Sequence, residues 1–299
     1  MALTRSGVDI PVVAREARMG LFGPGSAAWR IDREALILAG GTCALLMQLA
    51  HPAVAAGVEQ HSDFRVDPFA RLRRTLSASF AVVFGSTPRA ERAIRRMNAI
   101  HGVVRGQIPE SGAPYFARDP RLLLWVHATL VDTALRIYDR YVEPLTDAEA
   151  QAYHAESRQI AVRLGVPEAE VPATLTELRA RMEEMIAAGE VRVTPTARSL
   201  SRSVLYPTAF PPRFVWDAAH LLSMSVLPAT LRRQYGIEWS PARERGMDRA
   251  AVALRALLPI VPPPLRFVPP YRSALARATG QPGIMAPPAS APTRAPEES

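Results

Sequence analysis

Histidines beside acidic residues are the first candidates for chemistry in this chain. The stretch HPAVAAGVEQHSDF begins at His51 and includes Glu59 and His61. Metal-ligating histidines on one helix usually lie three or four residues apart, whereas these two lie ten apart across Pro52. The stretch therefore favours a helix junction, in which His51 ends one helix and Pro52 begins the next, over a metal site.

A second candidate group lies in the sequence RLRRT. Arg71, Arg74 and Thr75 are spaced i, i+3 and i+4, which places all three on one helical face. Arginines that simply face solvent are the simpler interpretation. A helix that brings polar residues next to an apolar stripe can also line a pocket, so both interpretations stay open on the residues alone.

The third candidate is a histidine beside glycines, in the sequence IHGVVRG. His101 lies four residues before Arg105, and Gly102 and Gly106 leave the predicted helix surface thin, so a flat ligand could approach its backbone. His127 lies in a separate apolar segment. A helical histidine is more often a hydrogen-bonded core residue than a ligand, so spacing alone does not decide either one. We expect His154 to be exposed and His220 to lie in the core.

The composition excludes several classes of protein. The chain has 299 residues, a formal net charge of +8 and a single cysteine, Cys43. One cysteine forms no intrachain disulfide and no cysteine-based zinc site. All basic residues other than histidine are arginine, and they are scattered without a nucleic-acid-binding motif. We therefore expect no nucleic-acid partner, and instead a weak attraction to anionic ligands or membrane surfaces.

The cellular location follows from two segments. The N-terminus is too charged for a signal peptide, which predicts a cytoplasmic protein. No charged residue occurs from Ala35 to Val58, a length that could cross a bilayer. Pro52 should break that helix, so we interpret residues 34–50 as a buried core helix and keep peripheral membrane association as an alternative.

Helical periodicity dominates the chain and predicts an all-α fold. Several predicted helices begin with a capping residue followed by proline, and Gly85, Gly165, Gly189 and Gly236 lie where helices should end. The predicted helices span residues 32–50, 68–84, 88–105, 120–141, 147–164, 174–188, 213–235 and 241–257. Residues 190–193 carry the one weak strand signal.

The domain organisation is simple. We predict an N-terminal segment (1–28), one helical domain (29–278) and a disordered tail (279–299). The proline-rich stretch from Leu257 to Tyr271 is expected to wrap an apolar surface in extended turns.

The order and spacing of several motifs resemble the MpaB-type oxygenase family, which includes the latex-clearing rubber oxygenases. The resemblance extends from about Trp29 to about Phe210. The motifs that carry it are HPAVAAGVEQHSDF, DPFARLRRT, IHGVVRG, PYFARDPRLLLWVHATLV, YHAE and LGVP.

The resemblance implies a single globin-like multi-helix domain that holds haem b. By motif, His101 matches the proximal iron ligand, and Arg71 and Thr75 match a polar pair near the haem. Arg105 and His127 are assigned to cofactor binding with them.

One residue departs from the pattern of the rubber oxygenases. Their RxxKT motif carries a lysine that caps the iron, and this chain has Arg74 at that position. A guanidinium stays protonated and is a very poor iron ligand, so distal capping by this residue is not expected. Glu59 is assigned, on the resemblance, to the position of the family's catalytic glutamate.

Three functions remain open at this stage. The first is a haem b-dependent oxygenase that acts with O2 on an apolar small molecule or lipid-like substrate, with catalytic residues Arg71, Arg74, Thr75 and Glu59. The second is a non-catalytic helical protein that binds lipid or another apolar ligand. The third is a non-haem metal enzyme built from histidines with Glu59 or Asp63.

Overall fold

Helices form nearly all of the regular structure in this computed structural model, which describes residues 20–62, 68–207 and 212–279, without the side chains of residues 68–72. The all-α prediction is confirmed. The helices are α1 Ala27–Asp32, α2 Gly41–Leu49, α3 Pro52–His61, α4 Pro68–Phe84, α5 Thr87–Val103, α6 Pro120–Ile137, α7 Asp147–Leu164, α8 Leu175–Ala187, α9 Pro195–Leu205, α10 Arg213–Val226, α11 Ala229–Gln234, α12 Pro241–Leu257, α13 Pro263–Arg266 and α14 Pro269–Thr279. Short 3-10 segments span Ala35–Gly40, Glu168–Glu170 and Leu258–Ile260, and a π-helical turn spans Tyr138–Val142.

Helix α6 is the centre of the core. It packs against α2, α7, α8 and α10, and twelve of its side chains are buried. The two indoles of the core satisfy their N–H groups on backbone carbonyls, Trp125 on Met47 at 3.2 Å and Trp29 on Val83 at 2.9 Å. These bonds let large aromatic residues be buried without leaving a polar atom unpaired.

The local start and stop signals work as the sequence predicts. Asp119 accepts a hydrogen bond from the backbone N–H of Arg121 at the start of α6, and Thr146 forms a capping box with Glu149 at the start of α7. Gly165 ends α7 with φ +111°, a conformation that side chains rarely adopt.

Two predicted helices are divided, and the predictions did not include α1, α9, α13 or α14. The predicted helix 32–50 consists of a 3-10 segment and α2, and Gly40 lies so close to Thr133 and Ile137 that an added Cβ would come within 2.7 and 2.8 Å of them. The predicted helix 213–235 breaks before Pro228, which caps α11. Helix α9 carries no signal that we recognised in the sequence.

The strand prediction was wrong. Residues 190–193 are not a strand: the N–H of Arg192 bonds to the carbonyl of Ala50 at 2.8 Å, and that of Val193 bonds to the Gln234 side chain at 2.8 Å. The described strands are β1 Arg105–Gln107 and β2 Pro114–Phe116, which pair antiparallel.

The proline-rich C-terminal segment packs against the first helices, but not in the extended turns that we predicted. It forms the 3-10 segment Leu258–Ile260, α13 and the start of α14, because proline is well suited to the first turn of a helix. The side chain of Arg266 bonds to the buried carboxylate of Glu34, and the N–H of Val268 bonds to the carbonyl of Arg33 at 2.8 Å. The predicted disordered tail lies outside the described residues from Gly280 onward.

No single helix in the described ranges is both long and apolar enough to cross a membrane. Residues Ala35–Leu49 and Pro52–His61 reach the length and composition only as a pair, and they are bent by 104°.

Candidate functional site

The candidate site lies on a helical hairpin. Only Gly85 and Ser86 separate α4 from α5, and the two helices pack against each other. Because a short connection makes neighbouring helices antiparallel, the first half of α4 lies alongside the second half of α5. The fold therefore brings the RLRRT motif and His101 to the same end of the hairpin.

His101 is half-buried at the end of α5. Its Nδ1 is buried and has no hydrogen-bond partner among the described residues. Burial lowers the pKa of this imidazole, and the nearby positive charge of Arg118 lowers it further. His101 is therefore a neutral imidazole at neutral pH, the form that binds a metal ion.

Exposed apolar residues lie next to His101 in the sequence of α5. Ile100 and Val103, on the same helical turn, expose 51% and 73% of their surface. A Cβ added to Gly102 would meet only the Arg118 side chain, at an ordinary distance of 3.9 Å. A flat apolar group has room to approach the helix here.

Gly106 does not belong to this open surface, contrary to our prediction. It lies in β1 rather than on the helix, because α5 ends at Val103. A Cβ at this position would come within 2.2 Å of Oε1 of Gln60 and 2.9 Å of the hydroxyl of Tyr115. Glycine therefore lets the Gln60 and Tyr115 side chains pack closely against β1.

Arg118 is a site residue that the sequence reasoning missed. It lies just before the capping residue Asp119, where the beginning of α6 meets the end of α5 and the glycine that ends α7. The charge of its guanidinium lowers the pKa of His101. Its Nη2 lies 3.9 Å from the position that a Cβ on Gly165 would take. The signal was the sequence ARDP, which we used only as a helix start.

The other predicted catalytic residues lie at the surface where their side chains are described. Arg74 and Thr75 are exposed on α4, and Glu59 is exposed near the end of α3. Arg71 lies on α4, but its side chain is outside the described part of the structure. The roles assigned to these residues near a haem stay predictions.

Arg105 is exposed on β1, and its backbone is bonded to the end of α3. The carbonyl of Arg105 accepts a hydrogen bond from Nε2 of His61 at 3.0 Å. His61 thereby links the end of α3 to the strand that follows His101. The side chain of Arg105 is exposed, four residues after His101 in the sequence.

His127 lies in the core and has another histidine as its neighbour. It is 5% exposed, and burial, together with the charge of His154, lowers its pKa to about 4. His154 is fully buried, contrary to our prediction, and its Nε2 donates to the carbonyl of Pro172 at 3.0 Å. Nε2 of His127 has no partner among the described residues.

The helix-junction interpretation of the HPAVAAGVEQHSDF stretch is confirmed for its described part. His51 caps α3, and its Nδ1 accepts a hydrogen bond from the N–H of Ala53 at 3.2 Å. Asp63 lies outside the described residues. Within the ranges that the structure describes, no three or more histidine, cysteine, aspartate or glutamate side chains form a group that could hold a metal ion.

Two clefts lie away from His101. A cleft of about 210 Å³ is lined by Met47, Asp132, Arg136, Arg179, Met182, Glu183, Ile186 and Pro228. A more open one of about 270 Å³ is lined by Arg202, Ser203, Tyr206 and Arg213. Neither includes any of the residues that the sequence assigns to the site.

Comparisons with known proteins agree with the resemblance seen in the motifs. Two uncharacterized mycobacterial proteins, Mb2261 of Mycobacterium bovis and Rv2237 of Mycobacterium tuberculosis, are each 26% identical to this chain over 227 residues. Each alignment covers 73% of this chain and 87% of the relative. No solved structure matches.

A family model extends over most of the helical domain. The model described as "ER-bound oxygenase mpaB/B'/Rubber oxygenase, catalytic domain" matches residues 29–256, from α1 to the last turn of α12. The match includes the α4–α5 hairpin with His101. The chain therefore belongs to the MpaB and rubber oxygenase catalytic-domain family.

Proposed function

We propose that this protein is a haem b-dependent oxygenase, with His101 as the proximal iron ligand and an apolar small molecule or lipid-like molecule as substrate. The family supports an oxygenase that uses O2 on a small molecule. The observation that carries the haem proposal is the imidazole of His101, which is neutral and half-buried at the same end of the α4–α5 hairpin as the RLRRT motif.

The residues around His101 fit the parts of a haem. Ile100 and Val103 would contact the apolar macrocycle, and Gly102 would let it lie against α5. Arg105 follows the end of α5 by two residues, and the side chain of Arg118 lies beside Gly102. Both cations would pair with the propionates. When bound, haem b would supply the iron at which O2 is activated.

The α4 residues would complete the site from the neighbouring helix. Arg71 and Thr75 would hydrogen-bond to the polar edge of the bound group or to O2. Arg74 stays protonated, so it would act through its charge and leave the distal position to water or O2. Glu59, at the end of α3, would accept a proton during turnover.

The test is an absorption spectrum of the full chain, expressed with a haem precursor and assayed as the pyridine haemochrome. We expect a Soret band and stoichiometric haem, and we expect His101→Ala to lose both. His61→Ala is the matched control, because His61 is exposed at the end of α3 and should leave the band intact. A Soret band that survives in His101→Ala removes this residue as the ligand, and absence of haem after reconstitution overturns the proposal.

A non-catalytic apolar-ligand-binding protein is the second candidate. The exposure of Ile100 and Val103 beside a half-buried histidine also suits a lipid chain. Mass spectrometry of the purified protein, together with iron analysis, separates the two functions. Stoichiometric lipid without iron would favour this candidate, whereas iron with porphyrin would favour the oxygenase.

A further inference from the structure

The most exposed apolar residues of the C-terminal part lie close together in sequence. Val252, Leu257, Ile260 and Leu265 expose 63%, 54%, 76% and 74% of their surfaces. We call these four residues the apolar tip. Single exposed apolar residues are normal on a protein surface, but a cluster of large ones indicates a binding surface.

The apolar tip is attached to a buried base. Helix α12 packs against the protein through another face, where Ala251 is 2% exposed. Beyond the tip, Arg266 is anchored to Glu34 and Val268 to Arg33. The prolines at 259 and 262–264 restrict the backbone between these anchors. The tip is thus held outward from a supported base.

The charged residues within the segment that carries the apolar tip have one sign. Residues 249–279 contain five arginines and no aspartate or glutamate. Arg249 and Arg272 are exposed and Arg255 is half-buried, whereas Arg266 is already engaged by Glu34. The acidic residues that precede this segment on α12, Glu244 and Asp248, are both paired with Arg140. Glu34 and Glu143 act on Arg266. The arginines on the rest of the segment leave it with a net positive charge.

We propose that the apolar tip is a docking site for an anionic lipid surface. Leu257, Ile260 and Leu265 would enter the boundary between headgroups and acyl chains, while the exposed arginines would contact lipid phosphates. Apolar residues combined with adjacent cations are the features that bind a protein to the surface of an anionic membrane. The inference does not depend on the haem proposal.

The charge distribution favours a lipid surface over a second copy of the chain. In a symmetric dimer the same patch meets itself, so Arg249 and Arg255 would face the same arginines on the other subunit. Like charges at an interface oppose association. An anionic bilayer avoids this repulsion, since its phosphates complement the arginines.

The test is co-sedimentation of the full chain with vesicles, either phosphatidylcholine alone or phosphatidylcholine mixed with phosphatidylglycerol. We expect binding to the mixed vesicles, weakened by salt, and weak binding to phosphatidylcholine alone. The double variant Ile260→Ser/Leu265→Ser should reduce binding by about tenfold or more. Arg249→Gln/Arg255→Gln should reduce binding to the anionic vesicles specifically.

Leu130→Ser is the matched control, because Leu130 is 47% exposed but lies on α6. It should bind vesicles as the unmodified chain does. Circular dichroism of every variant checks that the fold is retained. Unchanged binding in the Ile260→Ser/Leu265→Ser variant overturns the proposal, as does a wild-type chain that stays in the supernatant with both vesicle types. A dimer that this variant converts to a monomer would also overturn it and identify a second copy as the occupant.

Discussion

Arg266 holds both carboxylate oxygens of Glu34 across 232 residues of sequence, with Nε 2.9 Å from Oε2 and Nη2 2.9 Å from Oε1. The glutamate side chain is completely buried, and it starts the 3-10 segment before α2. The backbones meet at the same place, because Glu34 forms a bridge with Phe267. This ion pair therefore fastens the C-terminal wrap to the first helices of the core.

Removal of Arg266 should destabilise the fold strongly. In Arg266→Met the buried carboxylate of Glu34 loses its bidentate partner and keeps only Arg33, whose Nε lies 3.8 Å from Oε1. An unpaired buried carboxylate typically costs about 3–5 kcal/mol, so we expect a loss of up to about that size. Urea denaturation measures the free energy of unfolding. Arg272→Met is the control, since Arg272 is exposed on α14 and should change the stability little. Adding Glu34→Gln to Arg266→Met should recover part of the loss, and a single variant as stable as the unmodified chain would contradict the role of this pair.

The burial of His127 predicts a loss of stability in mild acid. Burial lowers its pKa from 6.5 in the unfolded chain to about 4 in the fold, so the unfolded chain takes up this proton first. The contribution of His127 to the free energy of unfolding is fully present above pH 6.5 and falls as the pH drops toward 4. Below that range about 3 kcal/mol has been lost.

The measurement is the free energy of unfolding against pH for the unmodified chain and for His127→Gln. The difference between the two curves should slope between pH 6.5 and 4 and be flat above. His61→Gln is a suitable control because His61 is exposed and its removal should leave the slope intact. Parallel curves for His127→Gln would contradict the prediction.

Gly102 and Gly106 should respond differently to alanine. Gly106→Ala would push a methyl group against the ends of the Gln60 and Tyr115 side chains, which would have to move, so the free energy of unfolding should fall by about 1 kcal/mol. Gly102→Ala has space and lies in the last turn of α5, so its stability should be unchanged or raised by up to about 1 kcal/mol.

Thermal denaturation compares the two glycine variants, and the haem content of each tests the site. Gly102→Ala should lower the haem content, because the added methyl group separates α5 from a bound macrocycle. It should not lower the melting temperature. Equal melting temperatures for the two variants would show that Gly106 is not closely packed.

Arg74→Lys should change the spectrum of the haem-loaded protein. A lysine amine can lose its proton and bind iron, whereas the guanidinium cannot, so we expect the variant to gain a strong-field distal ligand. The neighbouring Arg73→Lys, equally exposed on α4, is the control and should leave the spectrum unchanged. Identical spectra for all three proteins would place Arg74 away from the distal side.

The sequence by itself determined the helices whose ends are set locally. Helices α4, α7 and α12 begin and end at the predicted residues. Their caps are short-range: Ser240, for example, accepts a hydrogen bond from the N–H of Arg243, three residues away. The motif order also indicated the oxygenase family, to which the matched region from 29 to 256 assigns the chain.

The tertiary structure alone decided the features that depend on contacts between distant segments. The strands β1 and β2 pair where the side chains of Tyr115 and Gln60 pack against Gly106. No local sequence pattern predicts this contact between distant residues. His154 looked like a solvent-facing helical residue, yet it is buried beneath Pro172. At the site, the residue type of His101 was visible in the sequence. Its lowered pKa, its unpartnered nitrogen and its neighbour Arg118 arise only because the ends of α5 and α7 meet the start of α6, and packing between elements cannot be read from the residues within one of them.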